Sequence, residues 1–353
     1  MAALLPALVA CALLRACTAG SVPPPAGAFH ADAFSGNLEQ VQQALKGGQR
    51  VDAVGELGLT ALMFAASNCG ACAPEPGRAC KSAETVKALL QARADPLRTS
   101  SDGSTALHFS GCSSAARALL GAGAKVTDTN RAGETALHAA SAAGNAAVVA
   151  DLLAARADAN AARTAPDNNS TSLHLASSAG HVEVVRKLLA AKANVNTWAG
   201  GLYYGFWTLY TPLNLASGGG HAETVLLLLA ANAEVDARSW HNATSLHLAS
   251  EGGHVEVVRE LLAAKANADV VNSGGRTPLH LAANFPDVKA ELEVATSLEF
   301  RRMSDPKEEE EWNKKRERER DNVLGVGALV LIVLFFGWLC ACECMGCAKQ
   351  KNY

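Results

Sequence analysis

Seven times along the chain a threonine opens nearly the same phrase: TALMFAA at Thr60, TALHFSG at Thr105, TALHAAS at Thr135, TSLHLAS at Thr171, TPLNLAS at Thr211, TSLHLAS at Thr244 and TPLHLAA at Thr277. The last two intervals are 33 residues each, and most copies lead into Gly-His or a relative and then an apolar run such as VEVVRKLLAAKANVN from Val182. A period of this length means one supersecondary unit used repeatedly. Threonine caps a helix well, and proline is accepted at the next position because the first helical N–H has no partner anyway. Leucine and the small residues behind it face the neighbouring unit. A glycine such as Gly180 or Gly253 ends the first helix in the left-handed conformation. Val184, Val185, Leu188 and Leu189 then form the i, i+1, i+4, i+5 stripe of a second, amphipathic helix. No unit covers its own apolar face, so the units must stack into a solenoid.

On these motifs the chain resembles the ankyrin-repeat family over about residues 28–298. The resemblance implies an all-α repeat solenoid of helix-turn-helix units joined by β-turn fingers. AFHADAFSGNLEQVQQALKGGQRVDA, from Ala28, offers two helices without the threonine phrase and reads as an N-terminal cap. TPLHLAANFPDVKAELEVATS loses the Gly-His turn and reads as a C-terminal cap. About eight units result. The family often places glycine after the second helix, whereas this chain has Arg93, Arg156, Lys192, Asn232 and Lys265 there and conforms only at Gly123. A non-glycine residue in the left-handed region costs on the order of 1 kcal/mol. Either the array carries that strain or those turns have another shape. The histidines at 108, 138, 174, 247 and 280 recur at one repeat position. The resemblance implies that each bonds within its own repeat and to its neighbour, and Asn214 stands in for one of them, as a scaffold permits.

Two intervals are long. Thr60 to Thr105 spans 45 residues and contains NCGACAPEPGRACKS, with Cys69, Cys72 and Cys80. Stacking brings Cys112 close to that insert, and the four thiols are candidates for disulfides, for a zinc site or for free thiols. Thr171 to Thr211 spans 40, and the extra residues fall in GGLYYGFWTLY, between adjacent units. Aromatic residues are only 5% of the chain, yet Trp198, Tyr203, Tyr204, Phe206, Trp207 and Tyr210 crowd this connection, with Trp240 at the next. They either bury one another in a local mini-core or form an exposed contact patch, since Trp and Tyr dominate binding hot spots.

The ends read differently from the middle. Residues 1–19 have the apolar run and small-residue site of a secretory signal peptide, though without a basic start. Val323–Cys342 is free of charge over 20 residues. Such a run spans about 30 Å as a helix, enough to cross a bilayer. Residues 299–322 read as a charged juxtamembrane helix or linker and 343–353 as a Cys-rich tail; if that tail is cytosolic, Cys340 and Cys342 at the end of the span and Cys344 and Cys347 beyond it are palmitoylation candidates. Asn168, Asn169 and Asn242 begin glycosylation sequons. Signal, sequons and cysteine insert favour repeats in the lumen or outside the cell. The excess of Lys and Arg before the span favours the opposite, a tail anchor with cytosolic repeats. A net charge of −3 gives no basic footprint for nucleic acid. There is no nucleophile elbow, phosphate-binding glycine loop or paired-carboxylate signature, so neither an enzyme nor a bound cofactor or metal is expected. The expectation is a membrane-anchored scaffold or receptor for an unidentified protein partner. A small-ligand receptor using the aromatic insert and a passive tether are the alternatives.

Overall fold

The computed structural model describes residues 27–68, 81–164, 169–203, 206–239 and 241–302. The signal segment, the apolar span, the tail and most of the charged linker therefore lie outside the described residues. So do Cys69, Cys72, Cys80, Asn168, Tyr204, Trp240, Cys340, Cys342, Cys344 and Cys347. Among the described residues no helix is long and apolar enough to cross a membrane. The chain forms two compact units that divide after Glu234.

The first unit opens with the helix pair Ala28–Ser35 and Leu38–Lys46, as the cap-like sequence anticipates. Short first helices follow at Ala61–Ser67, Ala136–Ala142, Ser172–Ser178 and Pro212–Gly218. Second helices lie at Lys81–Gln91, Ser113–Gly121, Ala146–Ala154, Val182–Ala190 and Ala222–Ala230. First helices pack on first helices, and second on second, from repeat to repeat. The repeated leucine of the threonine phrase makes the first row: Leu62, Leu107, Leu137, Leu173 and Leu213 are all essentially inaccessible. Val184, Val185 and Leu188 are likewise buried, while Leu189, the last of the predicted stripe, is half-buried. Each such leucine contributes roughly 1.5–3 kcal/mol by leaving water, and none could do so in an isolated repeat.

The unit opened by Thr105 is abbreviated. Only 30 residues separate Thr105 from Thr135, and its first helix shrinks to tight turns, with His108 N–H to Thr105 O at 3.0 Å and Phe109 N–H to Ala106 O at 3.2 Å. The Gly-His turn is missing there. Gly111 instead donates its N–H to Ala66 O of the preceding repeat at 2.8 Å.

The second unit repeats the pattern with Ser245–Gly252 and Val255–Ala263. It closes on Pro278–Leu281, a 3₁₀ turn at Ala282–Asn284 and the long helix Pro286–Arg302. Loss of the Gly-His turn has a physical substitute here: the Phe285 ring lies against Gly253, where a Cβ would meet it at 2.4 Å. In the first unit the ring of His181 covers Gly144 and that of His221 covers Gly180, at 2.7 and 2.4 Å from where a Cβ would stand. Glycine is thus required twice over, for its positive φ and for the ring that the next repeat lays on it.

The turns after the second helices keep their left-handed shape without glycine. Arg93, Arg156, Lys192, Asn232 and Lys265 have φ between 63° and 65°. Of the two readings of these positions, strain carried in an unchanged turn is the one observed. A side-chain ladder holds the turns: Asn160 Oδ1 accepts from Asn194 N–H at 2.7 Å, and Asn196 Oδ1 accepts from Glu234 N–H at 2.9 Å. Asp236 does the same for Asn267 in the second unit, at 3.1 Å.

The all-α repeat expectation holds, and one of its fingers is longer than a β-turn. The aromatic connection is a two-stranded antiparallel sheet, β1 (Ala199–Tyr203) and β2 (Phe206–Tyr210). Four of the five residues of FWTLY are of types enriched in strands, which favours a paired hairpin over an irregular loop.

Candidate functional site

The capping threonines and the histidines three residues later form one device. Thr135 N–H donates to His138 Nδ1 at 3.2 Å, and Thr171 and Thr244 do the same to His174 and His247. A peptide N–H can only donate, so Nδ1 is the unprotonated nitrogen and Nε2 carries the hydrogen. Nε2 then donates across to the next finger: His108 to Glu134 O at 2.9 Å, His138 to Ser170 O at 3.2 Å, His174 to Thr197 O at 3.0 Å, and His247 to Arg276 O at 3.1 Å. Burial pushes His138, His174 and His247 down to about 4, outweighing the carbonyls they face. His108 is lowered for the same reason. At Thr211 the device survives with Asn214, whose Oδ1 accepts from Thr211 N–H at 3.1 Å. Thr60 N–H faces Met63 Sδ at 3.5 Å in that place. His108, His138, His174 and His247 are therefore neutral struts between repeats, while exposed His280 makes the Thr277 half of the device, its Nδ1 accepting from Thr277 N–H at 3.2 Å. Among the described residues no group of three or more His, Cys, Asp or Glu is placed to hold a metal ion.

One of these struts roots the aromatic insert. His174 holds Thr197 O, two residues before β1, and so ties the base of the hairpin to the preceding repeat. From that base the register runs Ala199↔Tyr210, Gly200↔Leu209, Gly201↔Thr208, Leu202↔Trp207 and Tyr203↔Phe206. Other fingers of this unit are closed by single bridges, at Val54↔Thr60, Thr99↔Thr105 and Ala162↔Thr171. The insert is thus a finger lengthened into a ribbon. Strand alternation sets Leu209 and Tyr210 on opposite faces of the ribbon. Trp198, just before the ribbon, is 36% exposed, Leu209 is 40% exposed, and Tyr210 is half-buried. Of the sequence candidates, Trp198, Tyr203, Phe206, Trp207 and Tyr210 are brought to this one finger. Leu209 was not singled out by sequence. Its signal lay in the run FWTLY, which reads as a strand once the aromatic residues are set aside as a special class.

The remaining candidates are placed as follows. Cys112 is buried, with Sγ 3.6 Å from Ser114 Oγ. Asn169 is exposed with φ 37° and Asn242 half-buried with φ 52°. Their sequon hydroxyls are not open: Thr171 and Thr244 are buried caps, with Oγ1 2.8 Å from His174 Nδ1 and 2.9 Å from His247 Nδ1 respectively.

Stacked helix pairs joined by fingers, with Thr-His struts between repeats, define a repeat protein that works by presenting surface. The family model for ankyrin repeats in sets of three matches residues 77–163, 109–199, 162–239 and 213–298, and the chain belongs to the ankyrin-repeat family. No curated protein matches the chain. Repeats of this family generally mediate protein–protein interaction.

Proposed function

We propose that this chain is a membrane-anchored scaffold that binds a protein partner, with the lengthened finger at residues 198–210 as the principal contact. The observation that carries this reading is the ribbon itself: five paired rungs rooted by His174, where other fingers of the same unit close with one bridge. A further support is the exposure of Trp198 and Leu209 at its base, in a segment without a charged residue. Exposed apolar surface of that kind on a soluble array marks interaction sites. The anchor is the apolar run 323–342, and the signal-like start favours repeats in the lumen or outside the cell.

Site-specific cross-linking tests it. Benzoylphenylalanine at Trp198 should capture a protein in membranes of the native cell. The same group at exposed Lys87, on the row of second helices, should capture none. Truncating hot-spot aromatics at Tyr204 and Trp207 to Ala should reduce capture by a factor equivalent to about 2 kcal/mol. Equal capture from both positions, or none from either, would remove the finger as the contact site.

A further inference from the structure

The surface around the lengthened finger is set apart by what it lacks. The chain is 18% charged, yet between Lys192 and Glu223 there is no Asp, Glu, Lys or Arg. That stretch runs from the turn before the ribbon, through β1 and β2, into the first helix Pro212–Gly218. The first helices before it, Ala61–Ser67, Ala136–Ala142 and Ser172–Ser178, hold none of these residues either. Ribbon and helices are joined at two points. Tyr210 leads directly into the Thr211 cap, and His174 of Ser172–Ser178 holds Thr197 O at 3.0 Å. The neutral ribbon and the neutral first-helix row are therefore one surface of the first unit.

The charged side chains of these repeats sit on the second helices, where several pair with one another. Arg186 lies 3.3 Å from Glu183 and 3.7 Å from Glu223, and Arg117 lies 3.8 Å from Asp151. In the finger before the ribbon, Arg163 and Glu134 neutralise each other at 2.7 Å. The neutral row is not sealed. Leu175 and Leu215, at one position of the repeated phrase, are half-buried, and Ala142, Ser178 and Gly218, at another, are exposed. Small residues let a second chain come close, and half-covered leucines gain by being covered. Trp198 and Leu209 carry the same character onto the finger.

A charge pressed against such a surface loses its water and gains no counter-charge, which is costly. The centres of protein interfaces are depleted of charged residues. We propose that the partner segment seated on the ribbon and the first-helix row is an uncharged, apolar stretch of polypeptide. This rests on the reading of the finger as a contact site and gives its occupant a chemistry. Binding then comes from apolar burial and close packing. Encounter is not steered by charge, so the contact is nearly indifferent to salt.

The test uses the full chain in membranes of the native cell, with benzoylphenylalanine at position 198 as the probe and the band it captures as the readout. Raising sodium chloride from about 50 mM to about 500 mM should change the yield by less than about twofold, whereas a contact between opposite charges would be screened away. Leu209→Lys and Leu209→Glu each place a charge on exposed strand surface, and both should cut the yield about tenfold, because an uncharged partner answers neither sign. Leu209→Met, close in volume and apolar, should keep it. Ser178→Lys and Ser178→Glu put the same question to the helical row and should both lower the yield, so the outcome does not depend on the strand tolerating substitution. Helical melting reads the folding of each variant. A yield that Lys raises and Glu lowers, or the reverse, would reveal a charged partner and overturn the proposal while leaving the finger as the contact. A yield lost at high salt, or one unmoved by any of the charged variants, would overturn it as well. If position 198 captures nothing in the parent chain, the contact site itself fails and the proposal falls with it.

Discussion

At the scale of single residues, His108, His138, His174 and His247 are proton-free struts, and their lowered affinity for protons has a stability consequence. In the unfolded chain a histidine titrates near 6.5, whereas burial holds His138, His174 and His247 near 4. Above pH 6.5 both states are neutral and the groups add no pH dependence. Between 6.5 and 4 the unfolded chain takes up protons that the folded chain refuses, so stability falls as pH falls. Each such histidine removes up to about 1.4 kcal/mol per pH unit in that window. Denaturant unfolding at pH 7.5, 5.5 and 4.5 should show this loss, with His174→Asn shrinking it because asparagine does not titrate. A stability constant from pH 7 to 5 would contradict the strut. This part of the molecule was legible in the sequence, because one residue type recurs at one place in each repeat. The substitute roles of Met63 and Asn214 were less so, since nothing in a side chain's name says which backbone group it will face.

At the scale of elements, two kinds of left-handed residue behave oppositely. Gly180 has φ 69° and lies beneath the His221 ring, so Gly180→Ala should destabilise by about 2 kcal/mol or more through strain and overlap. Lys192 has φ 63° and is exposed. Lys192→Gly should therefore stabilise by about 0.5–1 kcal/mol, relief of strain exceeding the added freedom of the unfolded chain. Thermal melts of the two variants should move in opposite directions, and a fall in both would refute the strain at Lys192. Most helix pairs were readable from the repeated phrase and the caps from its loss, but the shape of the turn at Lys192 and its counterparts, where the missing glycine fits either a strained turn or a different one, was not. The β ribbon was not, because its glycines and clustered rings looked like a loop. What made it a ribbon is pairing between Ala199–Tyr203 and Phe206–Tyr210, a relation across the connection that no one strand displays.

At the scale of the whole molecule, the proposed anchor and orientation make a simple forecast. With the repeats lumenal, protease added to sealed microsomes should leave them intact, and an endoglycosidase should increase the mobility of the protein through loss of sugar at Asn242. Digestion of the repeats in sealed vesicles would place them in the cytosol and make the chain tail-anchored. The sequence carried both possibilities, because charge flanking the apolar run and the signal-like start argue in opposite directions. The burial of Thr244 against His247 adds a consequence about time. The enzyme that reads a sequon must reach the threonine hydroxyl as well as the asparagine amide, and in the finished repeat that hydroxyl is sealed under the helix it caps. Sugar can be attached at Asn242 only in the interval between emergence of the chain and closure of that cap. The fraction of molecules bearing glycan there is then a clock for the folding of the second unit, reading low when the cap closes early and high when it closes late.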